Sequence, residues 1–535
     1  MYPRAVHHLR TQKERKSLGL VFGAGVNDPL GIPNWRELVE AVAKNKRVRG
    51  KAILKKAEKN GQHLSAITQI LFNRFQEACK SIKKLNHSVD LCKDRKINTE
   101  WLRLIHNILY GSYSDSEIMG KIRGHPYLSH YVELIKSMPM TVTYNFDEVL
   151  QLLILSKRDP EEKERERGYE TVVGEGAQIK KREGVIYHPN GFIAFHFENG
   201  TSQGITFSDE SFADQLIENV AGRYASLNHF ISNTTCLFIG LSLSDGTLRH
   251  QLRQSARLNP GQYHYLVWYV DDDKQLDEDL KVSIFESYFK VFNLITLFLG
   301  NAGLRSLASL IKMDSGSFEQ LCETTGVVTK YCYYLVGPVG VGKSTAISFF
   351  KGLTTYDEWM DIRPKLMNVP DAQLTPTERK KVDRWVARQF YKKNSALARK
   401  TEGIHIIDRT PLDPLTFGSS KHRRNKARNL LKTICPTTDR RVESGQVIFL
   451  RGRIDEIHAR LLCKHKEWPD EKIQDNQNQI SEIYGFPEVA IIDTTIRSIE
   501  EVVKETAKII FCHDYKPMDI HKGLQFWADG GTKEK

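Results

Sequence analysis

The sequence predicts an α/β protein built from two doubly wound parallel-sheet domains. Three observations predict it. An apolar run, Leu18–Phe22, passes at once into the turn Gly23-Ala24-Gly25, and a second run, residues 331–336, passes into the glycine-rich loop from Gly337 to Ser344. Strand, glycine turn and helix in that order open a nucleotide-binding sheet. Further short apolar runs recur at helical intervals, at residues 138–150, 235–242, 263–270 and 291–299, then 403–408, 446–450 and 489–493. That spacing suits strands joined by helical crossovers. Finally, 535 residues exceed one ordinary core, so at least two domains are expected.

Composition narrows the class. An apolar fraction of 40% with mixed charges fits a globular protein. No apolar run reaches the length of about 18 residues that a membrane span needs, and no signal-peptide core follows the basic start. The eight cysteines are scattered and form no C-x-x-C pair, so neither zinc nor a disulfide framework is expected, and a reducing cytoplasm is the simplest location. The net charge of +13 matches the need of two anionic nucleotide sites for Lys and Arg. A basic surface for nucleic acid is the alternative, but no nucleic-acid motif appears, so nucleic acid is not an expected partner.

The first domain is expected over residues 1–312. Gly23 and Gly25 permit a sharp turn and close approach of backbone N–H groups to a pyrophosphate, and Asn34 suits the cap of the helix begun by Trp35. The continuation, Gly31-Ile32-Pro33-Asn34-Trp35-Arg36, makes this stretch resemble the NAD-binding signature of the sirtuin superfamily. The resemblance implies a Rossmann-like domain in which Gly23, Ala24, Gly25, Pro33, Trp35 and Arg36 contact NAD. Residues 41–137 carry Leu, Ile and Phe at helical spacing and read as a helical insertion beside the nucleotide fold. A gate over the pocket, or an oligomer contact, is the other role open to it.

The run 138–150 ends in Thr143-Tyr144-Asn145-Phe146-Asp147, where a parallel sheet presents residues to a ligand; a plain helix cap by Asn145 or Asp147 is the alternative. Sirtuin-like proteins carry Thr-x-Asn-x-Asp at this place. The resemblance implies that Asn145 holds the nicotinamide ribose and the attacking water, with Asp147 in support. Residues 157–168 form a charge run, read as a solvated loop or a fraying helix end. At residues 185–193 a strand is broken by Pro189, and the family's His-Gly is here Asn190-Gly191. An amide cannot take a proton near neutral pH, whereas imidazole can. His188 lies two residues earlier, on the same strand face if alternation continues. Three readings remain open: His188 serves as base, cleavage needs little base help, or NAD is bound without turnover. Residues 206–215 resemble the family's next loop and helix. The pattern Gly240-x-Ser242-x-x-Asp245 matches its late motif and implies contacts from Gly240, Ser242 and Asp245 to the cofactor. The absent zinc ribbon argues against a protein deacylase.

Residues 313–330 read as a linker, 331–512 as the second domain and 513–535 as a tail with a disordered end. G-x-x-x-x-G-K-S spans Gly337, Gly340, Gly342, Lys343 and Ser344, with Thr345 next. This is a phosphate-wrapping loop whose Lys343 reaches the terminal phosphates of ATP or another nucleoside triphosphate. Ser344 suits Mg²⁺. The run 403–408 ends in Asp408-Arg409, which resembles the Asp-Arg motif of deoxynucleoside and nucleoside monophosphate kinases. That likeness implies a P-loop kinase-like fold in which Asp408 holds Mg²⁺ or activates an acceptor and Arg409 grips the acceptor's phosphate. Residues 375–400 read as an amphipathic helix over the acceptor pocket. Arg451 and Arg453 follow a strand, and the stretch with Arg460 after them looks like the kinases' arginine-bearing lid helix, an ordinary solvated helix being the alternative. The basic run 421–428 reads as a solvated helix face, or else as a phosphate or nucleic-acid contact.

Together these readings predict an NAD-cleaving effector, yielding ADP-ribose and nicotinamide, controlled by a nucleotide-binding domain. The resemblance implies anti-phage defence by NAD depletion, with a phage-derived trigger and a homo-oligomer as partners. The rival is a nucleotide kinase whose sirtuin-like half binds NAD without cleaving it.

Overall fold

The computed structural model describes all residues except 81–89, 112, 158–168, 175–182, 244, 370–372, 418–419 and 532–535. Most of the charge run at 157–168, Ser244 and the last four residues therefore lie outside the described residues. The chain forms two compact units. One comprises Gln12–Leu258 and Tyr263–Lys312, the other Met1–Thr11, Asn259–Gln262 and Met313–Lys535. Residues 2–11 of the helix Tyr2–Glu14, read from sequence as part of the first domain, thus group with the second unit.

The first unit holds seven strands: β1 (Leu18–Phe22), β2 (Met140–Thr143), β3 (Glu170–Val173), β4 (Val185–His188), β5 (Thr235–Ile239), β6 (His264–Tyr269) and β7 (Leu294–Leu299). They pair in the order β3-β4-β2-β1-β5-β6-β7, all parallel. Val21 at the centre sits opposite Val142 on one side and Phe238 on the other. Every residue of β1, β2 and β5 is buried, as a parallel sheet covered on both faces requires. The chain leaves β1 towards β2 and later returns to β5 on the opposite side. The strand order therefore reverses between β1 and β5, the place where such sheets leave a crevice for ligands.

The expected helical insertion is present as helices Lys51–Lys59, Leu64–Lys80, Asp90–Tyr110 and Asp115–Arg123. Trp101 gathers Phe72 and Phe75, with ring centroids 5.1 and 5.3 Å away. Tyr110 ties the insertion to the sheet: its hydroxyl donates to Ile193 O at 3.1 Å and accepts from Glu148 N at 2.7 Å.

The second unit carries β8 (Lys330–Val336), β9 (Thr354–Tyr356), β10 (Gly403–Asp408), β11 (Gln446–Arg451) and β12 (Ala490–Asp493) in the parallel order β12-β11-β8-β10-β9. The helix Pro376–Ala398 starts on a capping box between Thr375 and Glu378. The segment read as a linker holds the helix Ser315–Thr325, anchored by buried Phe318 and Cys322. The segment read as a tail holds the helix Ile520–Asp529, whose Ile520, Leu524, Trp527 and Ala528 enter the core at helical spacing. The described residues of the basic run at 421–428 are mostly exposed, as a solvated helix face would be, with Arg423 and Ala427 buried. Arg424 and Arg428 donate to Ala528 O at the end of the helix Ile520–Asp529, at 3.2 and 3.0 Å, and Arg423 pairs with Glu482 at 2.8 Å.

Candidate functional site

A cavity of about 580 Å³ opens at the carboxyl ends of the first sheet's central strands. Its wall includes Gly23, Ala24, Gly25, Pro33, Trp35 and Arg36 after β1, Asn145 and Asp147 after β2, and Asn190 after β4. Gly240, Ser242 and Asp245 after β5 complete it. Twelve of the thirteen catalytic and NAD-contact candidates from the first half of the sequence thus meet in one place; the exception is His188. Leu64 and Leu109 of the helical insertion also line it, so the insertion forms part of the wall.

The glycine turns bring β1 and β5 together. Gly23 N donates to Ile239 O at 3.0 Å and Gly25 N to Gly240 O at 2.9 Å. These two N–H groups are therefore spent on the neighbouring strand rather than left for a pyrophosphate. The turns touch so closely that a Cβ on Gly23 would lie 2.5 Å from Gly240 O. Asn34 caps the helix Trp35–Lys44 as expected, in a capping box with Glu37. Trp35 stacks on Phe212 with centroids 5.2 Å apart, and its buried Nε1–H has no protein partner. Arg36 ion-pairs with Glu58 and with Glu40 at 3.7 Å.

Asn145 and the β1 turn are in direct contact: Asn145 Nδ2 donates to Gly23 O at 3.1 Å. Asp147 is buried and takes Asn27 Nδ2 on Oδ2 at 2.5 Å and Val149 N on Oδ1 at 3.1 Å. Burial pushes its carboxyl above the usual range. His188 is fully buried and does not line the cavity. β4 ends at His188, and the turn that follows places Gly191 at φ +99°. The alternation that would have set His188 and Asn190 on one face stops there. His188 lies behind Asn145, with Nδ1 3.0 Å from Asn145 O and Nε2 2.8 Å from Gln151 Nε2. The amide must donate to Nε2, so Nδ1 carries the proton and donates to the carbonyl. Burial lowers its pKa to about 4.

A dinucleotide fits this site on three counts. The volume lies within the usual range of about 300–1,000 Å³ for ligand cavities, the lining is mostly apolar with a few convergent amides, and the Trp35 Nε1–H is an unfilled donor in its wall.

In the second unit the loop between β8 and the helix Lys343–Ser348 sets Gly337, Gly340 and Gly342 at φ +149°, +90° and +109°. Lys343 folds back onto Gly337 O and Pro338 O at 2.8 and 3.0 Å, and burial lowers its pKa to about 8. Ser344 Oγ donates to Asp408 Oδ2 at 2.8 Å, while buried Asp408 Oδ1 has no protein partner. Thr345 continues the helix. Arg409, at φ +66°, pairs with Glu358 at 2.9 Å and Asp413 at 2.7 Å. Arg451 pairs with Asp493 at 3.4 Å, Arg453 with Asp455, and Arg460 binds Thr494 O at 2.9 Å. The helix that bears Arg460 packs on the loop, since a Cβ on Gly340 would meet Leu461 at 2.7 Å. Sequence reasoning missed Lys393, a buried lysine that donates to Asp408 O at 2.7 Å and Glu358 O at 3.2 Å. Its i, i+3 neighbour Phe390 is its only sequence signal, an apolar position on the same helix face.

The fold and cavity define a doubly wound α/β protein with a ligand crevice at the switch point. A family model described as a SIR2-like domain matches residues 139–289, a span that contains Asn145, Asp147, Asn190, Gly240, Ser242 and Asp245 and points to NAD-related activity. No curated protein matches the chain. A crystal structure of NadR protein in complex with NR aligns over 57% of this chain and 86% of that chain, at 12% identity and a TM-score of 0.28. A likeness that loose defines neither fold nor function. Among the described residues, no helix is long and apolar enough to cross a membrane.

Proposed function

We propose that the first unit binds NAD in the 580 Å³ cavity and hydrolyses it to ADP-ribose and nicotinamide. The observation that carries this is Asn145: it stands at the carboxyl end of β2, inside the SIR2-like span, and its amide is fixed on the glycine turn of β1. With Nδ2 spent on Gly23 O, Oδ1 is the atom that accepts from a ribose hydroxyl or from the attacking water. His188 holds the Asn145 backbone from behind and Asp147 holds Asn27.

The second unit, in this reading, binds ATP or another nucleoside triphosphate with Mg²⁺ at Gly337–Ser344 and regulates the first. Orphaned Asp408 Oδ1 beside Ser344 supports a metal there, and Lys343 and Arg409 are the cations for phosphates. Defence against phage by NAD depletion, with a phage-derived trigger and a homo-oligomeric, cytoplasmic protein, belongs to the same proposal. It rests on the sirtuin resemblance and on the fusion of the two units.

Asn190 in the place of the family's histidine, together with His188 outside the cavity, favours a second reading in which NAD is bound and not cleaved. One experiment separates them. The full chain is incubated with NAD, with and without nucleoside triphosphate and Mg²⁺, and nicotinamide is measured. Release that disappears in Asn145→Ala supports cleavage; NAD binding without release under every condition supports the second reading. Lys343→Ala is expected to abolish nucleotide binding by the second unit and any nucleotide dependence of release.

A further inference from the structure

We propose that three buried glutamines, Gln151, Gln215 and Gln251, are positioning residues that mount the dipeptide Tyr144-Asn145 for cleavage, a role that rests on the reading above. They stand on three different helices, Val149–Ser156, Asp209–Val220 and Gly246–Leu258. Each is at most 3% exposed. Each reaches the same two residues from its own side.

Gln151 acts through His188. Its Nε2 donates to His188 Nε2 at 2.8 Å and to Thr171 Oγ1 at 3.2 Å, and His188 Nδ1 donates to Asn145 O at 3.0 Å. Gln215 acts through Asn190. Its Nε2 donates to Asn190 Oδ1 at 2.9 Å and to Pro189 O at 3.1 Å, and Asn190 Nδ2 turns to Tyr144 O at 3.4 Å. The residue at the histidine position is thus a link in the mount. Gln251 accepts the Tyr144 hydroxyl on Oε1 at 3.3 Å. The Asn145 side chain is tied separately, by Nδ2 on Gly23 O at 3.1 Å. With the carbonyls before and after its Cα held and Nδ2 anchored, Asn145 has one direction left for Oδ1.

Each glutamine also leaves one buried amide atom without a hydrogen-bond partner: Gln151 Oε1, Gln215 Oε1 and Gln251 Nε2. Such an atom destabilises the fold, and an apolar side chain of the same length would carry none. Stability alone therefore does not account for three of them around one dipeptide. Positioning does, because a misplacement of about 1 Å at a reacting group can cost about 10²-fold in rate.

The test uses the full chain with Gln151→Met, Gln215→Met and Gln251→Met, since methionine keeps the length and removes the hydrogen bonds. Nicotinamide release, NAD affinity by calorimetry and the thermal melt are measured for each. The expected result is kcat lowered by about 10- to 100-fold, with NAD affinity within about threefold of wild type. Tyr144→Phe should match Gln251→Met, and the two together should lose no more than either alone, because both break one hydrogen bond. That double variant leaves no unpaired atom at the contact, so it melts no lower than wild type and keeps the test open if a single variant folds poorly. A kcat within about threefold of wild type overturns the assignment for that glutamine. A loss of rate matched by an equal loss of affinity, or losses that add in the double variant, overturns the mount. A wild-type chain that binds NAD and releases nothing instead removes the cleavage reading, and this role with it.

Discussion

Three buried histidines, His7, His188 and His264, are each held near a pKa of about 4 by burial. Two of them lie in the first unit, and both are wired as neutral rings: His188 accepts from Gln151, and His264 Nδ1 accepts Cys236 N at 3.1 Å. The sign of the pH effect follows. The folded pKa lies below the unfolded value of about 6.5, so the unfolded chain takes up protons first. Stability is whole above that pH and falls as pH drops towards about 4. Each histidine contributes up to about 1.4 kcal/mol per pH unit in that window. Melting of the full chain between pH 7.5 and 4.5 should fall accordingly; a flat profile would contradict the wiring. His188→Ala should cost about 2–4 kcal/mol, read as a drop in urea midpoint. At this scale much of the site was legible. Asn145 and Asp147 stand where the strand end put them. His188 was misplaced because i, i+2 alternation holds only inside a strand, and β4 stops at that residue. That Asn190 and Asp245 share one cavity wall was not legible, since they follow strands β4 and β5, which β2 and β1 separate in the sheet.

Elements differ in how much of their cause is local. The helix Pro376–Ala398 was readable as 375–400 because its cap, Thr375 with Glu378, and its periodicity are within the segment. Thr375→Ala should cost about 1 kcal/mol, measurable by chemical denaturation. The contact between the turns after β1 and β5 is not local, and only the glycines hinted at it. Gly23→Ala would put a Cβ 2.5 Å from Gly240 O and 2.6 Å from the Leu241 side chain. The turns must separate, and NAD affinity by calorimetry should fall at least about tenfold, equivalent to roughly 1.4 kcal/mol. Tyr2–Glu14 escaped sequence reading for the opposite reason. Its buried residues are mostly polar: Arg4, His7, His8, Arg10 and Gln12 beside the apolar Ala5 and Leu9. Such a face makes sense only once its partners are known. Arg4 donates to Tyr333 at 3.1 Å and Ile510 O at 3.0 Å, and Arg10 pairs with Glu402 at 2.9 Å over the Phe318 ring.

At the scale of the whole molecule, the two sheets and their parallel order were foreseeable from the spacing of apolar runs. The membership of the units was not, because contacts of residues 1–11 are invisible to any local pattern. The second unit includes that segment. A fragment of residues 313–535 leaves Glu402, Tyr333 and the Phe318 ring without Arg10 and Arg4. Adding a peptide of residues 1–14 should raise its melting temperature by several degrees, as about 2–3 kcal/mol of restored buried pairing would. No shift would show that the segment is dispensable.

The pairing of Arg10 with Glu402 joins residues 392 positions apart. At a synthesis rate of about 5–20 residues per second, the arginine emerges on the order of 20–80 s before its carboxylate exists. The whole seven-stranded sheet is translated in that interval. One domain can therefore fold on the ribosome while the other waits for its first-made piece to be recaptured.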